Sequence, residues 1–148
     1  MDLGLADSRV IVTGGGSNIG RGIVHVFAAE GARIVINDID GPQAEKVRAE
    51  AAELGAADVN VVVADLTKPE AAEAVVDAAQ VAWGGVDVLV NNAGWSVPGF
   101  IATDTDRDKW QRTIEINLFS AIAATQAAIP VMKDSGGGAI VFIASDAA

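Results

Sequence analysis

The chain has 148 residues, 51% of them hydrophobic and 20% charged, which is the length of one domain able to bury a core and not the composition of a disordered segment. A formal net charge of −10 and no cysteine argue against nucleic acid or an anionic membrane as partners and remove disulfides, thiolate catalysis and Cys-based zinc sites, and no metal is expected. The first ten residues carry Asp2 and Asp7 and no apolar signal core, and Asn117, Ser120, Thr125 and Gln126 interrupt the richest apolar run, so a cytoplasmic protein without a membrane span is expected.

Apolar and amphipathic runs alternate along the chain, the sequence form of repeated βα units. Arg9 to Thr13 reads as the first strand and Ile19 to Glu30 as the helix after it, ended by Gly31. Arg33 to Asn37 is the second strand, closed by Asp38, and the turn Asp40-Gly41-Pro42 leads into a helix over Gln43 to Leu54 that Gly55 stops. Val59 to Ala64 is the third strand, and Pro69 opens a helix to about Trp83. Val86 to Val90 and Ile140 to Ala144 are the fourth and fifth strands, apolar enough that both faces should be covered, although within these residues the fifth is expected to be left as an uncovered apolar edge. Between them Asp106 to Met132 forms one long helix with two apolar stripes, Ile114, Leu118, Ala121, Thr125 and Ile129 on one and Ile116, Phe119, Ala123 and Ala127 on the other. One side is expected to cover the sheet and the other to meet a neighbouring helix, within the chain or from a second subunit. Right-handed crossovers then give an α/β fold with a doubly wound, Rossmann-like parallel sheet of at least five strands.

Thr13-Gly14-Gly15-Gly16-Ser17-Asn18-Ile19-Gly20 lies between the first strand and its helix. A turn at that place aims free backbone N–H groups and the positive end of a helix at one point, where a pyrophosphate is stabilised. Asp38 follows Gly20 by eighteen positions, where a carboxylate accepts hydrogen bonds from a ribose and repels a 2′-phosphate; this favours NAD over NADP, unless Asp38 only starts a turn. Asn91-Asn92-Ala93-Gly94 follows the fourth strand, leaving room for a flat ring or forming an ordinary turn. Asn117 lies within the apolar helix, as a functional amide or as a core amide with satisfied partners, and Ser145 ends the fifth strand, as a site hydroxyl or a helix cap. His25 sits in the first helix, remote from the strand ends, and reads as structural; Trp95, Val97, Pro98 and Phe100 wall the substrate side or simply pack.

Taken together, these residues resemble the classical short-chain dehydrogenase/reductase family, whose pattern is a TGxxxGxG turn, a strand-end Asp, an NNAG motif, a helix Asn and a strand-end Ser. The resemblance spans the whole chain and implies strand order 3-2-1-4-5. It implies that Thr13, Gly14, Ser17, Asn18, Ile19 and Gly20 line the pyrophosphate, Asp38 the ribose, Asp65 and Leu66 the adenine, and Asn91, Ala93 and Gly94 the other half of the nucleotide. Ser145 would hydrogen-bond a substrate carbonyl and Asn117 would hold a water in a proton relay. The implied reaction moves a hydride between NAD and a secondary alcohol or ketone, and the implied assembly is a homo-oligomer.

Two departures from the pattern matter. Asn18 replaces the middle glycine of the turn, and the YxxxK motif expected after Ser145 is missing from a chain that contains no tyrosine. Because the general acid/base alone is worth about 10² to 10⁴ in rate, the 148 residues by themselves are expected to be inactive or nearly so. Residues 1–148 read as one dinucleotide-binding domain, incomplete at its C-terminal side and the N-terminal part of a longer enzyme; a complete small protein that pairs with itself is the other reading. From other classes, a non-catalytic NAD-binding module stays open, and a nucleotide-dependent methyltransferase does not account for Asn117 and Ser145.

Overall fold

Five parallel strands in the order β3-β2-β1-β4-β5 form one sheet, with helices on both faces. The structure, a computed structural model, describes residues 3–68, 70–95 and 106–145. Strand β1 (Arg9–Thr13) lies at the centre, pairing with β2 (Arg33–Asp38) from Arg9↔Arg33 to Thr13↔Asn37 and with β4 (Val88–Asn91) from Val10↔Val88 to Val12↔Val90. The outer strands are β3 (Asp58–Val63) and β5 (Ala139–Phe142). The fold class and strand order are therefore those read from the sequence.

Alternate residues of the central strands point to opposite faces, and each set meets its own helices. Val10, Val12, Ile34 and Ile36 are buried with Val24 and Ala28 of α1 (Asn18–Ala29) and Ala44, Val47 and Ala51 of α2 (Gly41–Leu54). Ile11, Val35 and Leu89 are buried with Ala72, Val75, Val76 and Ala79 of α3 (Ala71–Trp83) and with residues of the last helix. Each fully buried Ile or Leu contributes about 1.5–3 kcal/mol of apolar transfer. At the base of the sheet Arg9 donates to Asp87 through Nε at 2.8 Å and through its second guanidinium nitrogen, tying β1 to the entry of β4. Asp87 is held below the usual carboxylate range, first by the Arg9 hydrogen bond.

The structure corrects several expectations. The long helix is not one uniform α-helix: α4 (Arg107–Ile114) passes through a π-helical turn, Glu115–Phe119, into α5 (Ser120–Asp134). The extra residue of a π turn rotates the phase of the downstream helix by about one residue, and the buried stripe is Ser120, Ala124, Ala128 and Met132, neither of the two stripes expected. These mostly small side chains let α5 lie close to α3 and the sheet, while Ile114, Leu118, Phe119, Ile122 and Ile129 stay exposed. Secondly, the helical span Arg107–Asp134 is long and apolar enough to cross a membrane by length and composition, contrary to the reading that no run reaches that size. It packs along α3 and β4 through its small-residue stripe. The fourth strand also starts later than expected, at Val88, with Val86 buried just ahead of it. Strand β5, by contrast, is the uncovered apolar edge expected of it, with Val141, Phe142 and Ile143 exposed among the described residues.

Candidate functional site

Because β1 connects on one side to β2 and on the other to β4, the sheet has its topological switch at the carboxyl end of β1, where open α/β sheets leave a crevice. A cleft of about 930 Å³ opens there. Its floor is the turn from β1 into α1. An added Cβ on Gly20 would run into the Gly14 carbonyl oxygen and stand 2.6 Å from Asn92 Nδ2, and Gly14 itself has φ +61°; the turn closes only with glycine at both positions. Asn18 has φ +48°, so the departure from glycine is met by the non-glycine residue best suited to the left-handed region. Ser17 precedes α1 without a side-chain cap, which leaves first-turn N–H groups of the helix directed at the cleft.

A hydrogen-bonded buckle holds the turn against β4. Thr13 Oγ1 accepts from the backbone N–H groups of Asn92 and Ala93, each at 3.0 Å, and donates to the Val90 carbonyl at 3.4 Å. Asn92 Nδ2 donates to the carbonyls of Thr13 and Gly14, both at 3.0 Å. The second strand adds a carboxylate: Asp38 Oδ2 accepts from Gly16 N–H at 2.9 Å, and Oδ1 accepts from Asp40 N–H at 3.0 Å. Asp40 in turn caps α2, accepting from Gln43 N–H at 3.1 Å. After β3, Asp65 Oδ1 accepts from the backbone and hydroxyl of Thr67; these bonds, with Lys68 and Arg112 nearby, hold its carboxyl below the usual range.

Of the residues singled out from the sequence, Gly14, Ser17, Asn18, Ile19, Gly20, Asp38, Asp65, Leu66, Ala93 and Gly94 line this one cleft. Thr13 and Asn91 stand behind its wall. Asn91 points into the core, where Nδ2 donates to Thr125 Oγ1 at 3.1 Å and Oδ1 is buried without a partner. Asn117 lies on the π turn, and its amide is fully engaged: Oδ1 accepts from Trp95 N–H at 3.1 Å, and Nδ2 donates to the carbonyls of Trp95 at 2.7 Å and Thr113 at 2.9 Å. Its side chain therefore clamps the exit of the Asn92–Gly94 segment. Ser145 is exposed at the carboxyl edge beyond β5, and is not among the described cleft walls. Trp95 lines the mouth; Val97, Pro98 and Phe100 lie outside the described residues. Asn92 is the contributor that sequence reading passed over, because a turn Asn looks the same whether its amide is free or buckled. The far wall, from Asp108 through Arg112 to Ile116, was equally unforeseen, since only the crossover brings α4 over the cleft.

The shape of this cleft suits a dinucleotide: a glycine-dependent turn, uncapped helix N–H groups, a strand-end carboxylate and a small-residue shelf, in that order along one crevice. A family description of short chain dehydrogenases matches residues 8–148. The chain belongs to the short-chain dehydrogenase family. It is 41% identical over 137 residues to D-xylose 1-dehydrogenase of Caulobacter vibrioides, covering 93% of this chain and 53% of that protein. It is 36% identical over 147 residues to the 7α-hydroxysteroid dehydrogenase of Escherichia coli, covering 99% of this chain and 56% of that one. Among solved structures, L-sorbose reductase from Gluconobacter frateurii, complexed with NADPH and L-sorbose, superposes with a TM-score of 0.91 at 34% identity over 99% of this chain and 55% of the other. A 7α-hydroxysteroid dehydrogenase complexed with NADH and an oxo bile acid gives 0.88 at 35% identity over 95% and 54%. This short-chain dehydrogenase chain thus spans about half the length of the curated relatives it matches.

Proposed function

We propose that the cleft binds NAD(H) and that the chain supplies the cofactor-binding half of an oxidoreductase acting on a secondary alcohol or its ketone. The observation that carries the cofactor choice is Asp38, whose carboxylate is fixed at the end of β2 by two backbone N–H groups and faces the same cleft as the turn. A 2′-phosphate about 4 Å from it would meet repulsion of several kcal/mol at an effective dielectric near 20, at least about two decades in affinity after screening. One of the two neighbours carries NADH and the other NADPH, so the family alone leaves the choice open, and the Asp38 carboxylate is what supports NAD(H). The first-turn N–H groups of α1 would hold the pyrophosphate, Asp65 and Leu66 the adenine, and Ala93 and Gly94 the nicotinamide half. Bound there, the cofactor supplies hydride transfer. Asn117, by holding Trp95 through both backbone atoms, fixes the path of the chain where the substrate would enter, and Ser145 remains the candidate donor to a substrate carbonyl.

A non-catalytic NAD-binding module is the second reading, since a cleft that binds the cofactor does not by itself supply a proton-transferring group. Titration calorimetry with NAD and NADP tests the cofactor assignment. NAD is expected to bind about a hundredfold more tightly, and Asp38→Asn to narrow that gap; equal affinities, or tighter NADP, would overturn it. Turnover of secondary alcohols by the full-length gene product, measured beside its NAD binding, separates the enzyme from the module. The exposed row Ile114, Leu118, Phe119, Ile122 and Ile129 supports assembly as a homo-oligomer through helix pairing, and a monomer by light scattering would remove that part of the proposal.

A further inference from the structure

The two halves of an adenosine diphosphate site stand on different helices here. The turn that would hold the pyrophosphate runs directly into α1, and Asp38, which would hold the ribose, runs through Asp40 into α2. A ligand spanning both therefore senses the distance between α1 and α2. Their buried contact is built from small or β-branched residues, Val24 and Ala28 against Ala44, Val47 and Ala51, which allows close packing but provides no directional lock. The directional lock is polar. Glu50 of α2 accepts from Arg21 Nε at 2.7 Å and from the second guanidinium nitrogen at 2.9 Å, and its Oε2 lies 3.0 Å from His25 Nε2.

Arg21 and His25 are one turn apart on α1, and Arg21 directly follows Gly20, the residue packed against the Gly14 carbonyl; Arg21 N–H returns to Ser17 O at 3.1 Å. The fork thus belongs to the first turn of the helix that faces the pyrophosphate. Solitary surface ion pairs contribute little, but a bidentate fork with a third partner fixes orientation as well as distance. Arg21 holds the Glu50 carboxyl down to about 2, with His25 adding to it, consistent with a carboxylate charged across the working pH range.

We propose that Glu50 is a positioning residue for the cofactor: with Arg21 and His25 it sets the separation between the pyrophosphate turn and the ribose carboxylate. The inference rests on the proposed NAD binding and adds to it a residue outside the cleft. A purely electrostatic role makes the opposite forecast, because removing the Glu50 charge would free Arg21 to attract the anionic ligand, so Glu50→Gln would raise affinity and Arg21→Gln lower it. The positioning role requires both to lower it.

Calorimetric titration of the wild type, Glu50→Gln, Arg21→Gln and the double variant with ADP-ribose, NAD and adenosine decides between them. The expected result is an affinity for ADP-ribose and NAD about three- to fivefold weaker in each single variant, no further loss in the double, and unchanged adenosine binding, because adenosine does not span the two helices. The reciprocal exchange Arg21→Glu with Glu50→Arg restores part of the loss. Opposite signs for the two single variants, equal weakening of adenosine, or no change would overturn the inference while leaving the NAD reading intact. A wild-type protein that binds neither NAD nor ADP-ribose would overturn both.

Discussion

At the scale of single residues, the amides of this protein separate by what each carbonyl and N–H reaches. Asn92 commits Nδ2 to two turn carbonyls and its backbone N–H to Thr13, so it builds the site. Asn91, its neighbour, instead faces the core with Nδ2 on Thr125 and a buried, unpartnered Oδ1. An unmade bond to a buried polar group costs about 1–3 kcal/mol, which gives the expected effects of substitution a sign. Thr125→Val, by orphaning the rest of the Asn91 amide, should destabilise by about 1–3 kcal/mol in urea denaturation. Adding Asn91→Leu should recover much of that loss, since no buried amide then remains; a double variant as unstable as the sum of its parts would show that the amide is satisfied in another way. The sequence reading found the NNAG segment but could not apportion its two asparagines. Adjacent residues in an extended strand point to opposite faces, yet near its end the turn alters that alternation, and only backbone direction says which amide reaches the glycine turn.

At the scale of elements, the π turn at Glu115–Phe119 joins helix packing to the site. It inserts the one residue that shifts the buried stripe of α5 to Ser120, Ala124, Ala128 and Met132, and it presents Asn117 to the backbone of Trp95. The sequence showed that Asn117 was out of place in an apolar helix. It did not show the π turn, because hydrophobic periodicity presumes a constant residue angle and an insertion is invisible until the partner surfaces are known. Asn117→Ala removes three hydrogen bonds from an exposed position and is expected to cost about 1–2 kcal/mol. The more specific consequence is local: hydrogen exchange at the Trp95 amide should accelerate about tenfold while core amides of β1 and β4 change only by the global loss. Uniform acceleration would mean that Asn117 acts on the whole domain and not on this clamp.

At the scale of the whole molecule, a net charge of −10 opposes both compaction and anionic ligands, and the structure answers with local dipoles and paired carboxylates. In the proposed complex the cleft would meet a pyrophosphate with helix N–H groups instead of a field of lysines. Asp87, Asp65 and Glu50 all lie below their ordinary values. A carboxyl depressed by folding adds stability that is present above its unfolded value and is lost as pH falls through the folded one. For Asp87 the ordinary value is 3.8, so its contribution through Arg9 should be complete above about pH 5 and disappear as the pH falls below 3.8. Asp87→Asn is then expected to cost about 1 kcal/mol near neutral pH, after allowance for solvent screening, with the difference from wild type closing as the solution is acidified. Chemical denaturation at several pH values measures it, and a gap that does not narrow at all as the pH falls below 3.8 would assign the cost to packing.

The sequence by itself determined the parallel α/β sheet, its strand order through the family resemblance, the glycine turn and the strand-end Asp38, because those depend on local periodicity and on residue types that tolerate few backbone conformations. The tertiary structure alone decided which amide buckles the turn, where the phase of the long helix breaks, that α4 supplies the far wall of the cleft, and that Arg21, His25 and Glu50 meet. These depend on contacts between residues distant along the chain, whose geometry is fixed only when the crossovers bring the elements together.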